Sequence, residues 1–171
     1  MIKKFKSKKY AFVDSQNLNL AIRDLRWELN FKRFRVFLRE KYEIEKAFLF
    51  LGFLKNNENL YESLRRDGFE LIFKPTLKRN GKIKGNCDAE LVLHCAKIEF
   101  ENFEKAILIS GDGDFHCLVE FLIAENKLLK VGIPNRKKFS SLLRGFRKYF
   151  FFVEDLREKL EYKKGRRVNW D

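Results

Sequence analysis

Brief apolar runs alternate with amphipathic stretches along the whole chain. Tyr10 to Asp14, Ile44 to Leu51, Glu70 to Lys74, Lys105 to Ser110, Leu128 to Ile133 and Tyr149 to Val153 predict six strands. Between them apolar residues recur at helical spacing. Leu18 to Leu25 carries Leu18, Ala21, Ile22 and Leu25. Phe31 to Lys41 carries Phe31, Phe34, Phe37 and Leu38. Glu58 to Asp67 carries Leu60, Tyr61 and Leu64 and stops at Gly68, a helix-ending residue. Asp88 to Phe100 and Asp114 to Glu125 complete the long helices, with Asp114 placed as an N-cap. Ser140-Ser141 opens a short helix through Leu143, and Leu156 to Leu160 forms a last helical turn. The polar, basic stretch from Thr76 to Asn86 predicts a loop or small hairpin around Asn80-Gly81.

Strands separated by helices predict right-handed βαβ units, hence an α/β fold. Its central, mainly parallel sheet of five to six strands is covered by helices on both faces. In such a sheet ligands bind outside the carboxyl ends of the strands. The residues expected on that rim are Asp14, the 75–86 loop, Asp112, Asp114 and the run Arg136, Lys137, Lys138. Acids and bases therefore share one edge.

Composition sharpens the picture. A chain of 171 residues normally makes one domain and buries a real core. We place it at residues 9–160, between a basic extension (1–8) and a basic tail (161–171). Lys and Arg number 37 against 24 Asp and Glu, a formal charge of +13. Such an excess attracts polyanions by counterion release, and nucleic acid is the partner it favours. No apolar run approaches the ~20 residues that cross a bilayer, and no apolar region follows the basic start, so neither membrane span nor secretory signal is expected. Three cysteines without C-x-x-C spacing and two histidines argue against a disulfide framework and a zinc site. The cysteines read as small buried hydrophobes in a reducing cytoplasm.

The candidate chemistry lies in carboxylates. Asp14 ends one apolar run and Asp112 follows another, while Asp88 and Asp114 open helices. Each has a plain structural reading, as a helix cap or a turn residue. Together they suggest a hard divalent cation, Mg²⁺ or Mn²⁺, which takes oxygen ligands and needs neither His nor Cys. Asn17 either orients an acid, a water or a phosphate, or caps the helix beginning at Leu18. Ser110 either bonds an acid or phosphate or merely ends its strand. Lys82, Lys84, Arg136, Lys137 and Lys138 are candidates for phosphate contacts, with Ser140 helping through backbone donors at a helix start. Glu90 is a minor candidate, off the Asp88 stripe.

Three blocks carry a resemblance: Phe12-Val13-Asp14-Ser15-Gln16-Asn17-Leu18, Lys84-Gly85-Asn86-Cys87-Asp88-Ala89-Glu90-Leu91, and Ile109-Ser110-Gly111-Asp112-Gly113-Asp114-Phe115. They resemble, in family order, the NYN domain family, the LabA-like branch of the PIN-like nucleases. The likeness spans about residues 9–153. It implies a three-layer α/β/α PIN-like fold and endoribonuclease activity dependent on Mg²⁺ or Mn²⁺. By motif position Asp14, Asp88, Asp112 and Asp114 would bind metal, with Asn17 and Ser110 as supporting active-site groups. His94 stands about where family members often carry a further acid, a departure that leaves open one ion or two. RNA is the implied substrate, with DNA and a homodimer left open. A non-catalytic RNA-binding or regulatory adaptor on the same fold is the alternative. A haloacid-type phosphatase is disfavoured, because it would want an acid where Gln16 stands.

Overall fold

All six expected strands form, and they run parallel in one sheet. The computed structural model describes residues 7–74, 77–79, 82–84 and 87–163, with backbone alone at 77–79 and 82–84. In chain order the strands are β1 (Lys9–Asp14), β2 (Lys46–Gly52), β3 (Phe69–Lys74), β4 (Leu77–Arg79), β5 (Lys82–Lys84), β6 (Lys105–Ile109), β7 (Leu128–Ile133) and β8 (Phe150–Phe152). The main sheet has the order β3-β2-β1-β6-β7-β8. Strands β4 and β5 pair antiparallel, Leu77 opposite Lys84, as a small hairpin would; the expected turn residues Asn80 and Gly81 lie outside the described residues.

The helices are α1 (Ser15–Asp24), α2 (Phe31–Tyr42), α3 (Glu58–Arg66), α4 (Asp88–Leu93), α5 (His116–Ala124) and α6 (Arg157–Leu160). Strands buried on both faces explain the continuous apolar runs. Along β1 the side chains alternate between two cores. Tyr10 and Phe12 face Leu91 of α4, Cys95 just beyond it, and Leu118 and Leu122 of α5. Ala11 and Val13 face Leu18 and Ile22 of α1, Phe34 and Leu38 of α2 and Leu160 of α6. Phenylalanine fills much of this volume: Phe12 stacks on Phe48 at 5.4 Å and meets Phe103 edge-on at 5.5 Å. Each such buried side chain contributes about 1.5–3 kcal/mol.

Three local features depart from expectation. The helix expected over 88–100 forms but changes its winding: it is α over Asp88–Leu93, π-helical over His94–Ile98, and ends in a 3-10 turn at Phe100–Asn102. The helix expected from Asp114 begins as a 3-10 turn at Gly113–Phe115 before α5. The short helix after Ser140 extends as a 3-10 helix over Ser141–Tyr149. Glycine is needed after α3, where Gly68 takes a φ of 96°, a conformation side chains disfavour.

At the edge where strands begin, Lys127 donates to the carbonyls of Phe100 (2.5 Å) and Phe103 (2.8 Å). Its ammonium also lies 4.1 Å from the Phe100 ring centre. This cation ties the segment leaving α4 to the start of β7. No helix among the described residues is long and apolar enough to cross a membrane.

Candidate metal centre

The chain leaves β1 towards β2 and β3 on one side, and β6, β7 and β8 lie on the other. The crevice between the carboxyl ends of β1 and β6 is therefore the topological switch point, where open α/β sheets bind ligands. Asp14 ends β1 and Asp112 lies three residues beyond β6. The first residue of α4, Asp88, reaches the same place. Carboxylate oxygens of Asp14, Asp88 and Asp112 all lie within 4.8 Å of one another.

The local sequence explains how each acid is held. Asp14 is the N-cap of α1: its Oδ1 accepts from the Asn17 N–H at 3.1 Å. Its Oδ2 accepts from the Ser110 hydroxyl at 3.0 Å. The Ser110 oxygen in turn accepts from the Asp112 N–H at 3.1 Å. Asp112 caps the 3-10 turn that follows, its Oδ1 accepting from the Asp114 N–H at 3.0 Å. Asn17 Oδ1 accepts from the Gly111 N–H at 2.9 Å. Asn17 thus ties α1 to the β6 loop; the cap of α1 is Asp14, not Asn17. Likewise Asp112, rather than Asp114, caps the turn leading into α5.

Electrostatics follow from burial. Asp14 is 9% exposed and Ser110 1%. Burial pushes the Asp14 carboxyl up to about 6; the Asn17 amide and Ser110 hydroxyl oppose this, and the charges of Asp88 and Asp112 add to it. Neither Asp14 nor Asp112 takes part in an ion pair among the described residues. The half-buried Cys87 thiol beside them is raised to about 11, by burial first and then by the charge of Glu90.

Other expected residues fall elsewhere. Asp114 is exposed and outside the three-carboxylate group. His94 packs its ring against Phe48 (5.7 Å) and Phe50 (5.5 Å), so it serves the core rather than the acids. Glu90 Oε2 lies 3.7 Å from Lys74 Nζ, with no hydrogen-bond partner among the described residues. The Arg136 guanidinium is held by Glu154 (3.3 Å) and Asp155 (2.6 Å) and lies 3.8 Å from the Phe152 ring centre. Those contacts partly neutralise the residue expected as a phosphate contact, on a surface where its side chain stays half exposed. Lys138 pairs with Asp24 at 2.9 Å on the surface, while Lys137 is exposed. Lys82 and Lys84 fall on β5, where their side chains lie outside the described residues.

Ser140 matters through packing. Its N–H donates to the Gly111 carbonyl at 2.9 Å, and its side chain caps the 3-10 helix by accepting from the Leu142 N–H at 3.3 Å. A Cβ at Gly113 would fall on Ser140 Oγ and within 2.8 Å of its Cβ. The acid-bearing loop is thereby seated on the start of the Ser141–Tyr149 helix. That helix, whose start meets the acid-bearing loop, exposes Arg144, Arg147 and Lys148, basic residues that the sequence reading missed by ending the helix at Leu143. The i, i+3 spacing of Arg144 and Arg147, which share one face at three residues per turn, was the available signal.

Three comparisons bear on this arrangement. The NYN domain family model matches residues 10–154. No curated protein matches the chain. Among solved structures, a protein of unknown function from Vibrio parahaemolyticus, VPA0982, is similar to it. The identity is 27% and the TM-score 0.76, over 95% of this chain and 100% of that one.

Proposed function

The chain belongs to the NYN domain family, a family of PIN-like nucleases, and from that premise we propose that it is a divalent-metal-dependent endoribonuclease. The observation that carries the reading is the convergence of Asp14, Asp88 and Asp112 at the switch point of the sheet.

The donor set fits a hard cation. Three oxygens within 4.8 Å of one another are compatible with the coordination shell of one small ion, whose ligands stand about 2.0–2.1 Å from it. Neither sulfur nor imidazole joins the group, and Cys87 stays a thiol at neutral pH. Asp14, Asp88 and Asp112 would hold Mg²⁺ or Mn²⁺. When bound, the ion supplies an activated water and neutralises charge on the phosphodiester.

The chain's own residues do the rest. Ser110 and the Asn17 N–H fix both oxygens of Asp14, so its rotamer is set in advance. Asn17 holds the β6 loop against α1 and keeps Asp112 in register with Asp14. Around this acid centre, Lys137, Lys138, Arg144, Arg147 and Lys148 supply exposed positive charge for the RNA backbone. Lys82, Lys84 and Arg136 join that proposal by their place in the chain, Arg136 only after exchanging its own acidic partners.

The test is purified protein with end-labelled single-stranded RNA in Mn²⁺ or in EDTA. Cleavage is expected in Mn²⁺ alone and is lost in Asp14→Asn. Equal cleavage by Asp14→Asn would remove the site assignment. Tight RNA binding with no products in any divalent ion would establish the adaptor instead.

A further inference from the structure

We infer that the cleft between α1 and α3 is a nucleobase subsite, taking the base of a nucleotide that flanks the scissile phosphate; this rests on the nuclease reading above. The cleft encloses about 460 Å³, inside the roughly 300–1,000 Å³ range of small-molecule sites. It lies over the carboxyl end of β2, at Leu51 and Gly52, on the same rim as the carboxylates.

Helix α1 stands between the two. Its Asn17 turns to Gly111 and the acids, while Gln16 and Asn19 line the cleft. Ser15, adjacent to Asp14 in the chain, lines it as well. The cleft therefore begins one residue from a proposed metal ligand, within reach of a neighbouring nucleotide.

A splayed base needs apolar contact on its faces and both donors and acceptors along its edge. Leu54, Leu60 and Tyr61 supply the apolar wall. Tyr61 is fixed: its hydroxyl accepts from the Leu54 N–H at 2.8 Å and donates to the Gly52 carbonyl at 3.4 Å. Leu60 remains 49% exposed at the mouth.

The amides of Gln16, Asn19 and Asn57 supply the edge, each carrying donors and an acceptor. Asn57 occupies the N-cap position of α3, where asparagine usually caps, yet makes no capping hydrogen bond. Among the described residues no side-chain hydrogen bond engages Gln16 or Asn19 either. Arg23 and Glu28 also line the cleft and bring one charge of each sign, not the cluster of cations a phosphate calls for; three uncommitted amides beside a fixed tyrosine suit the edge of a heterocycle.

The experiment has two arms. In the first, anisotropy in Ca²⁺ compares a labelled eight-nucleotide RNA with its fully abasic counterpart. The parent protein is expected to bind the base-bearing strand about tenfold more tightly. The Asn19→Ala/Asn57→Ala variant, with an unchanged far-UV spectrum, should bring the two within about twofold. In the second arm, a random-sequence RNA pool is cut in Mn²⁺ and the products are sequenced. A base preference at one fixed position beside the cut is expected, and the double variant flattens it. Equal binding of both strands by the parent protein, or an identical preference in the variant, overturns the subsite even if cutting is vigorous. Base-dependent binding that the variant loses, with no cutting at all, sustains the subsite and sinks the nuclease reading. A dimer in sedimentation that Leu60→Asp dissolves, without base-dependent binding, gives the cleft to a second copy and overturns the inference.

Discussion

Ser110 donates its hydroxyl to Asp14 Oδ2 at 3.0 Å, joining residues 96 positions apart across neighbouring strand ends. The same oxygen accepts from the Asp112 N–H, so one side chain sets the spacing of two acids. Ser110→Ala removes both contacts in a site that is 1% exposed. We expect a stability loss of about 1–3 kcal/mol from the orphaned groups. Cleavage should fall about 10–100-fold, as for other partners of metal ligands. Denaturant melts and single-turnover cleavage measure the two, and RNA affinity should hardly move.

Asp14→Asn should separate function from stability. The folded carboxyl titrates near 6, above its ordinary value of 3.8, because burial disfavours the charge. Its contribution to stability is therefore complete below about pH 4 and is lost as pH rises through about 6. The loss is at most about 3 kcal/mol. Asparagine never charges. Without metal, the variant should melt above the parent at pH 8 and beside it at pH 4. Mn²⁺ should raise the melting temperature of the parent protein only.

Metal affinity should carry the same titration. An ion must displace the proton of Asp14. Mn²⁺ affinity measured by calorimetry is expected to be flat above about pH 6 and to fall about tenfold per pH unit below it. A flat profile down to pH 5 would show that Asp14 is not a ligand.

Gly113→Ala should be costly for a steric reason. The new methyl would meet Ser140 Oγ and come within 3.1 Å of Leu142 Cδ1. Overpacking of this kind costs about 1–3 kcal/mol. Adding Ser140→Gly should recover part of the loss, and a double-mutant cycle on melting data measures that coupling.

Two neighbouring cations should behave differently. Lys137→Ala is expected to weaken RNA binding and reduce the slope of log affinity against log salt by about 1. Arg136→Ala should change that slope less than Lys137→Ala does, because a phosphate must first displace Glu154 and Asp155 from the guanidinium. Anisotropy titrations at several salt concentrations distinguish them.

Most of the sheet was legible, since strands buried on both faces leave uninterrupted apolar runs such as Phe12-Val13 and Ile107-Leu108-Ile109. So was the meeting of Asp14 with Asp112, which follows from strand ends sharing a rim. Asp88 was legible through the blocks it shares with its family. The roles inside the site were less so. Asp14 caps α1 because the helix begins at Ser15, three residues before the first apolar position at Leu18, and hydrophobic spacing cannot register that polar first turn. The fate of Arg136 depended on Glu154 and Asp155, brought alongside by β8, and no local pattern announces a partner 18 residues away. The change from α to π winding at His94, whose ring packs on Phe48 and Phe50, carries no local sequence signal.

Lys127 gives the acid centre a remote footing. By clasping Phe100 and Phe103 at the edge opposite Asp14, it moors the distal end of the segment whose head bears Asp88. The far end of the segment that carries one carboxylate of the trio is thus fastened by an ammonium on the opposite edge of the sheet. Neutralising that lysine would loosen the far end of this segment without touching anything near the crevice.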